Sequence, residues 1–341
     1  MDKFKEVQLI ELGGKESDFG GSTVSCSGSS GFSLEEKKIL PQEKYQLYRF
    51  EDIPDYLKDN PFIHTRYRAY YTYREAFGSL FRIHNETGNI WTHLAGFLVV
   101  LLLIMPIQYS FFLPKEASLL DRVIFALFLL SAAKCLLCSS LFHLFIGCSR
   151  DAFKRWGCWD YSGISTLICG CYCIVVYYCF YCDTLIRNIF LGVIFAVNFT
   201  GIIGPQTSAW SEPWFRLFRA GIYLLCGIVS TVPILYWLCK HGIPSTMELG
   251  HATNVLGIGW GSLFALEMCI WLAGVGVYAW RFPECYLPGK CDVLFHSHQI
   301  WHTLIVLGVL VHYQLSLQLL KWRLSGVPGG GCSARTSLFS A

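Results

Sequence analysis

The sequence predicts an all-α fold, a seven-transmembrane helix bundle with a cytosolic amino terminus and a lumenal or extracellular carboxyl terminus. Three observations predict it. Hydrophobic residues make up 53% of the 341 positions and charged residues only 15%, with a positive mean hydropathy, too oily for a soluble domain of this length. Seven apolar segments approach the ~20 residues that a helix needs to cross a bilayer, and an open run of chain can span lipid only as a helix that satisfies its own backbone hydrogen bonds. A stretch rich in aromatic and charged residues precedes the first of them, as suits a headgroup-level segment.

Residues 1–44 are polar and include "GGSTVSCSGSSG", which offers little to bury and is expected to be a disordered cytosolic tail. The opening "MDKFKEVQLIELGG" has no apolar core of a signal peptide, so the first span is expected to direct insertion. Residues 45–89 form the amphipathic juxtamembrane collar. The spans fall at roughly 90–110, 121–147, 160–182, 185–205, 217–239, 254–280 and 295–320, making a transmembrane domain of 90–320 followed by a tail of 321–341.

Basic residues set the orientation. Arg150, Lys154, Arg155, Arg216, Arg219, Arg281 and Lys290 follow the even-numbered spans, whereas Lys115, Arg187 and Lys240 follow the odd-numbered ones. The amino terminus shares the richer side, the reverse of a G-protein-coupled receptor. The sequon at Asn85 is then cytosolic and that at Asn198 lies within a span, so neither is expected to carry glycan.

Net charge is only +3, and no basic block interleaved with aromatics occurs, which excludes a nucleic-acid partner. Of the 16 cysteines, Cys135, Cys138, Cys169, Cys171, Cys173 and Cys226 sit inside apolar runs as small hydrophobes. Cys182, Cys239 and Cys332 are placed on the oxidising side.

Ionisable residues inside spans are costly, so each is a functional candidate. Span 2 ends near His143 with Ser139 one turn deeper on the same face, and Asp160 opens span 3 on the same side of the membrane. His298 and His302 in "HSHQIWH" are four residues apart, offset by only ~40° and ~6 Å on a helix. Alone, an H-x-x-x-H pair fits zinc or ordinary interhelical hydrogen bonding equally. Convergence with His143 at one depth favours a three-histidine zinc site, because neutral imidazole suits this borderline-soft cation and leaves a fourth position for water. Asp160 and Ser139 then hydrogen-bond the water. His93 is expected to make an interhelical hydrogen bond and is held only as the reserve ligand; His296 and His312 point elsewhere. Lys134 and Glu267 fit a buried pair, a polar cavity or snorkelling equally.

Through "LKDNPFI", "NETGNIWTHLAGF", "SSLFHLF", "WDYSGIS", "FPECYLPGK" and "SHQIWH", in that order over roughly residues 45–325, the chain resembles the progestin and adipoQ receptor family. That family includes the adiponectin receptors and is related to haemolysin III-type proteins and alkaline ceramidases. The resemblance implies zinc on His143, His298 and His302, with Asp160 and Ser139 acting around its water. "YRAY", "KRWGCWDYSGIS" and "GCYC" are similar to the Golgi branch that tethers Raf kinase, while "GNIWTHL" and "GGGC" are similar to the adiponectin receptors. The family often carries a basic residue after the P-E dipeptide; here Cys285 follows Glu284.

Three functions compete. A receptor or signalling regulator, at the Golgi or the plasma membrane, would use the amino-terminal region to engage a cytosolic signalling protein and the opposite face for an extracellular ligand. A zinc-dependent lipid amidase would cleave a ceramide-like membrane lipid to sphingosine and free fatty acid, with Asp160 as general base. A scaffold would hold a cytosolic kinase, with zinc purely structural.

Overall fold

The computed structural model describes residues 44–107, 111–207, 210, 215–241 and 258–325. Among these, seven helices are long and apolar enough to cross a membrane. The described residues contain no strand, and an isolated antiparallel bridge joins Tyr48 to Tyr67. The fold class is the one the hydropathy pattern predicts.

A short helix α1, Tyr73–Ser79, precedes the spans. Its start is fixed by a capping box: the Thr72 hydroxyl accepts from the Glu75 N–H, and the Glu75 carboxylate accepts from the Thr72 N–H. Helix α2, Thr87–Leu98, continues through a wider π-helical stretch, Val99–Ile104, to Ile107. Next come α3, Leu119–Phe145, opened by a second capping box between Ser118 and Asp121, and α4, Arg150–Cys179. The remaining spans are α5, Thr184–Ile203; α6, Arg216–His241; α7, Trp260–Trp280; and α8, Ser297–Leu324.

Two boundaries depart from the hydropathy reading for local reasons. Helix α4 starts at Arg150, well before the apolar run, because the Ser149 side chain accepts from the Ala152 N–H. Helix α8 runs past residue 320 to Leu324 because Arg323 is held by Asp121 of α3 at 2.5 Å, with the Tyr178 hydroxyl donating to the same carboxylate at 3.2 Å. The expected tails lie, for residues 1–43 and 326–341, outside the described residues, as do 108–110 of the first expected span and 254–257 of the sixth.

Helices α3, α4 and α8 are the innermost, each more than half buried along its apolar window. Phe125, Phe128, Leu129 and Leu136 of α3, Ile174 and Val176 of α4, and Val309, Leu315 and Leu319 of α8 share one core. Helices α5, α6 and α7 instead expose Leu185, Phe195, Phe199, Leu224, Ile228 and Leu272. That distribution inverts a soluble protein's surface and suits contact with acyl chains.

The segment before α2 is mostly irregular, with α1 its α-helical part among the described residues. Ile53, Leu57, Ile63, Tyr67 and Ala69 cluster against Ile146 and Phe153, which seats this collar on the adjoining ends of α3 and α4. Asp292, between α7 and α8, accepts from the His64 N–H at 2.9 Å and the Thr65 hydroxyl at 2.6 Å. The collar is therefore fastened to the α7–α8 connection as well.

Lys134 and Glu267 do not pair with each other. Lys134 donates to the hydroxyls of Ser162 and Thr166, at 3.1 and 2.7 Å. Glu267 Oε1 lies 2.9 Å from His312 Nδ1 and accepts from the Trp271 indole at 3.0 Å. Each charge thus finds its partner on a neighbouring helix, which a lone basic or acidic letter in an apolar run cannot announce.

Candidate metal centre

Helix α3 delivers His143 in its last turn, and α8 delivers His298 and His302 in its first two turns. One ring nitrogen from each lies within 4.8 Å of the others, and the Nε2 atoms of His143 and His298 are 3.2 Å apart. His143 and His302 are buried and His298 is partly so.

Neighbouring acceptors fix two of the rings. His143 Nδ1 lies 2.8 Å from Glu86 Oε2, and His302 Nδ1 lies 3.1 Å from the Asn89 carbonyl. A carboxylate and a carbonyl only accept, so both imidazoles carry their proton on Nδ1 and present an Nε2 lone pair inward. A second partner of this kind orients a metal-binding histidine and raises its basicity. Glu86 is held in turn by Asn89, whose amide donates to Oε2 at 2.6 Å. Burial resists ionisation of Glu86, but His143 and Asn89, with His296 nearby, together outweigh this and hold the carboxyl below the usual carboxylate range.

The backbone around the ligands is clamped too. Arg68 from the collar is buried and donates to the carbonyl of His143 at 2.6 Å and to that of Leu144 at 3.1 Å. These are carbonyls that the end of α3 leaves without helical partners. At the start of α8, the fully buried Glu284 accepts from the Ser297 N–H at 2.7 Å, satisfying an amide that the helix start exposes. Gln299 bridges α8 to Asn85 and Val293. It passes so close to Gly88 that any Cβ there would collide with its amide, so α2 needs glycine at this crossing.

Ser139 hydrogen-bonds Asp160, and the Asp160 carboxylate lies within electrostatic reach of His143. The five residues singled out from the sequence are therefore gathered at one end of α3, α4 and α8. His296 instead faces the Asn85 carbonyl at 3.2 Å, and His312 bonds Glu267 and the Cys171 carbonyl. His93 stacks flat on His302, with ring centroids 3.7 Å apart and 8° between planes. Neither of its ring nitrogens makes a well-formed hydrogen bond among the described residues, so stacking takes the place of the expected interhelical bond. Glu86, Asn89 and Arg68 are the contributors that sequence reasoning missed; the "NETGN" stretch holding the first two was the available signal.

Three neutral nitrogen donors on rigid helices, two with their outer nitrogens already engaged, fit a metal ion. The buried triad His143, His298 and His302 could bind one.

Comparison with known proteins agrees with this architecture. Residues 81–313 match the model of the family described as haemolysin-III related. The chain is 33% identical to heptahelical transmembrane protein 1 of Arabidopsis thaliana over 319 residues, covering 90% of each chain. It is 35% identical to progestin and adipoQ receptor family member 3 of Homo sapiens, covering 84% of this chain and 89% of the relative. Against the adiponectin receptor protein of Drosophila melanogaster it is 32% identical, covering 80% of this chain and 59% of that longer protein. With the family model spanning most of the seven-helix bundle and the triad inside it, the chain belongs to the haemolysin-III-related family of multi-pass membrane proteins that includes the progestin and adipoQ receptors.

Proposed function

We propose that this chain is a membrane receptor and signalling regulator of the adiponectin and progestin receptor kind, built around a zinc ion held by His143, His298 and His302. The observation that carries the reading is the opposition of the His143 and His298 Nε2 atoms at 3.2 Å with His143 Nδ1 locked onto Glu86. An all-imidazole donor set suits zinc over the hard cations magnesium and calcium, which take oxygen ligands.

The cytosolic placement of the collar is supported by the basic loops and by Cys182, which is disulfide-bonded at the end of the bundle opposite the triad. Disulfides persist in oxidising compartments, which suits a lumenal or extracellular carboxyl-terminal face. Cys239, expected on the same face, is a free thiol. The amino-terminal region and collar would then engage a cytosolic kinase such as Raf, at the Golgi or the plasma membrane. Capture of that kinase by the full chain, lost on removing residues 1–43 with zinc retained, tests this role; equal capture by the shortened chain contradicts it.

The Ser139–Asp160 hydrogen bond favours a second activity of the same site. Zinc, when bound, would supply a Lewis acid and a water of lowered pKa. Asp160 would take a proton from the attacking water and return it to the leaving amine as the amide C–N bond breaks. The Ser139 hydroxyl would orient that carboxylate. The substrate would be a ceramide-like lipid amide, released as a long-chain amine and a free fatty acid. Purified, zinc-loaded protein should release the amine from ceramide, and Asp160→Ala should abolish release without loss of zinc. Absence of turnover at full zinc loading rules out the amidase and leaves the receptor reading intact.

A further inference from the structure

At the triad's end of the bundle, the collar forms a half-open cavity of about 330 Å³ lined by Tyr45, Leu47, Arg66, Tyr71, Ser79, Arg82, Ile83 and His84. Its polar groups divide into two sets. The inner set is already committed: the Ser79 hydroxyl accepts from Arg68 and donates to the Ala76 carbonyl, and the Tyr71 hydroxyl donates to the Gln46 carbonyl. The two nitrogens of His84 are taken by the Ser79 carbonyl and the Glu86 N–H.

The outer set is two guanidinium groups without a carboxylate partner among the described residues. Arg82 lies over the Tyr45 ring at 4.0 Å. Arg66, which is exposed, has no ion pair among the described residues. Both Tyr45 and Arg66 adopt the left-handed backbone region, at φ 67° and 65°. Non-glycine residues reach that region at a cost that persists where surrounding structure imposes it; Tyr70, Arg281 and Phe295, outside the cavity lining, share it.

The mouth of the cavity is oily. Ile83 and Leu47 line it and are exposed, as are the neighbouring Phe77 and Phe81, the last 82% accessible. Phe81 also stands against Trp91 in the first turns of α2, the first of the seven spans. Arginine forks without a carboxylate partner among the described residues, two tyrosine walls and an apolar rim beside the first span are the features that recognise a phosphate carrying acyl chains.

We propose that the cavity bounded by Tyr45, Arg66, Tyr71 and Arg82 binds the phosphate of an anionic headgroup, with Leu47, Phe81 and Ile83 against its lipid chains. Arg66 and Arg82 grip the phosphate oxygens. The site is distinct from the histidine triad and needs no metal.

The test uses the full chain in nanodiscs of phosphatidylcholine, with a phosphatidylinositol phosphate, phosphatidylserine or neither added as probe. A parallel arm supplies soluble inositol phosphate and inorganic phosphate. Retention of the phosphoinositide should fall about tenfold or more in the Arg66→Gln, Arg82→Gln variant, and also in Arg66→Gln alone, which changes only an exposed side chain. Arg74→Gln, an exposed arginine outside the cavity, should leave it unchanged. Preference for the lipid over soluble phosphates assigns the site to a membrane lipid; equal competition by inositol phosphate assigns the same arginines to a free phosphorylated metabolite. Binding that is unaffected in both arginine variants, or no greater than for phosphatidylcholine alone, overturns the proposal.

Discussion

Glu86 and His143, 57 positions apart, meet through a 2.8 Å hydrogen bond between Oε2 and Nδ1. This contact aims the inward nitrogen of His143 at His298, since the carboxylate fixes both the tautomer and the ring plane. Replacing Glu86 with Gln keeps the shape and weakens the acceptor. Zinc affinity, read by competition with a chromophoric chelator, is expected to fall about 10–100-fold with melting of the zinc-free protein little changed. Unaltered affinity would show that Glu86 is a bystander.

At the opposite end of the bundle, Asp121 is 1% exposed at its side chain and Arg323 10%. Removing one member leaves the other charge buried and uncompensated, a loss of roughly 3–5 kcal/mol. Asp121→Ala should therefore melt far earlier than wild type. Adding Arg323→Met should recover much of the loss in a double-mutant cycle. Additive losses would mean that the two residues act independently.

His84 provides a pH signature outside the spans. Burial, and then the neighbouring Arg68, push its pKa down from 6.5 to about 3. The folded state therefore keeps the ring neutral. Its contribution is fully present above about pH 6.5 and is lost as pH falls toward 3, reaching roughly 2–3 kcal/mol by about pH 4.5. Stability measured between pH 7 and 4.5 should drop more steeply in wild type than in His84→Gln. Parallel slopes would count against a neutral buried His84.

Much of this architecture is legible in the sequence, and the reason is the solvent. Lipid forces each span into an unbroken helix, so hydropathy locates α2–α8 to within a few residues wherever no cap or ion pair extends them. It also makes every buried polar residue conspicuous, which is how His143, Ser139, Asp160, His298 and His302 stand out. Helical phase separates His302 from His296, and the structure sends His296 to the Asn85 carbonyl.

What the sequence conceals are partnerships that cross the fold. Arg68 caps His143 from 75 positions away, and His312 meets Glu267 across 45. Nothing in the spacing of either pair marks it. The collar is harder still, because water is an equally good partner for its charges; only once it packs on Ile146 and Phe153 is Arg68 buried and Arg66 left exposed.

Elemental analysis of the purified full chain addresses most directly whether His143, His298 and His302 hold zinc. Wild type, exposed to equimolar zinc and then washed of loose metal, should retain about one zinc per chain. The His143→Ala, His298→Ala, His302→Ala variant, shown by its helical circular dichroism to remain folded, should retain almost none. Equal zinc in the two proteins, or no zinc in wild type after loading, would contradict the account.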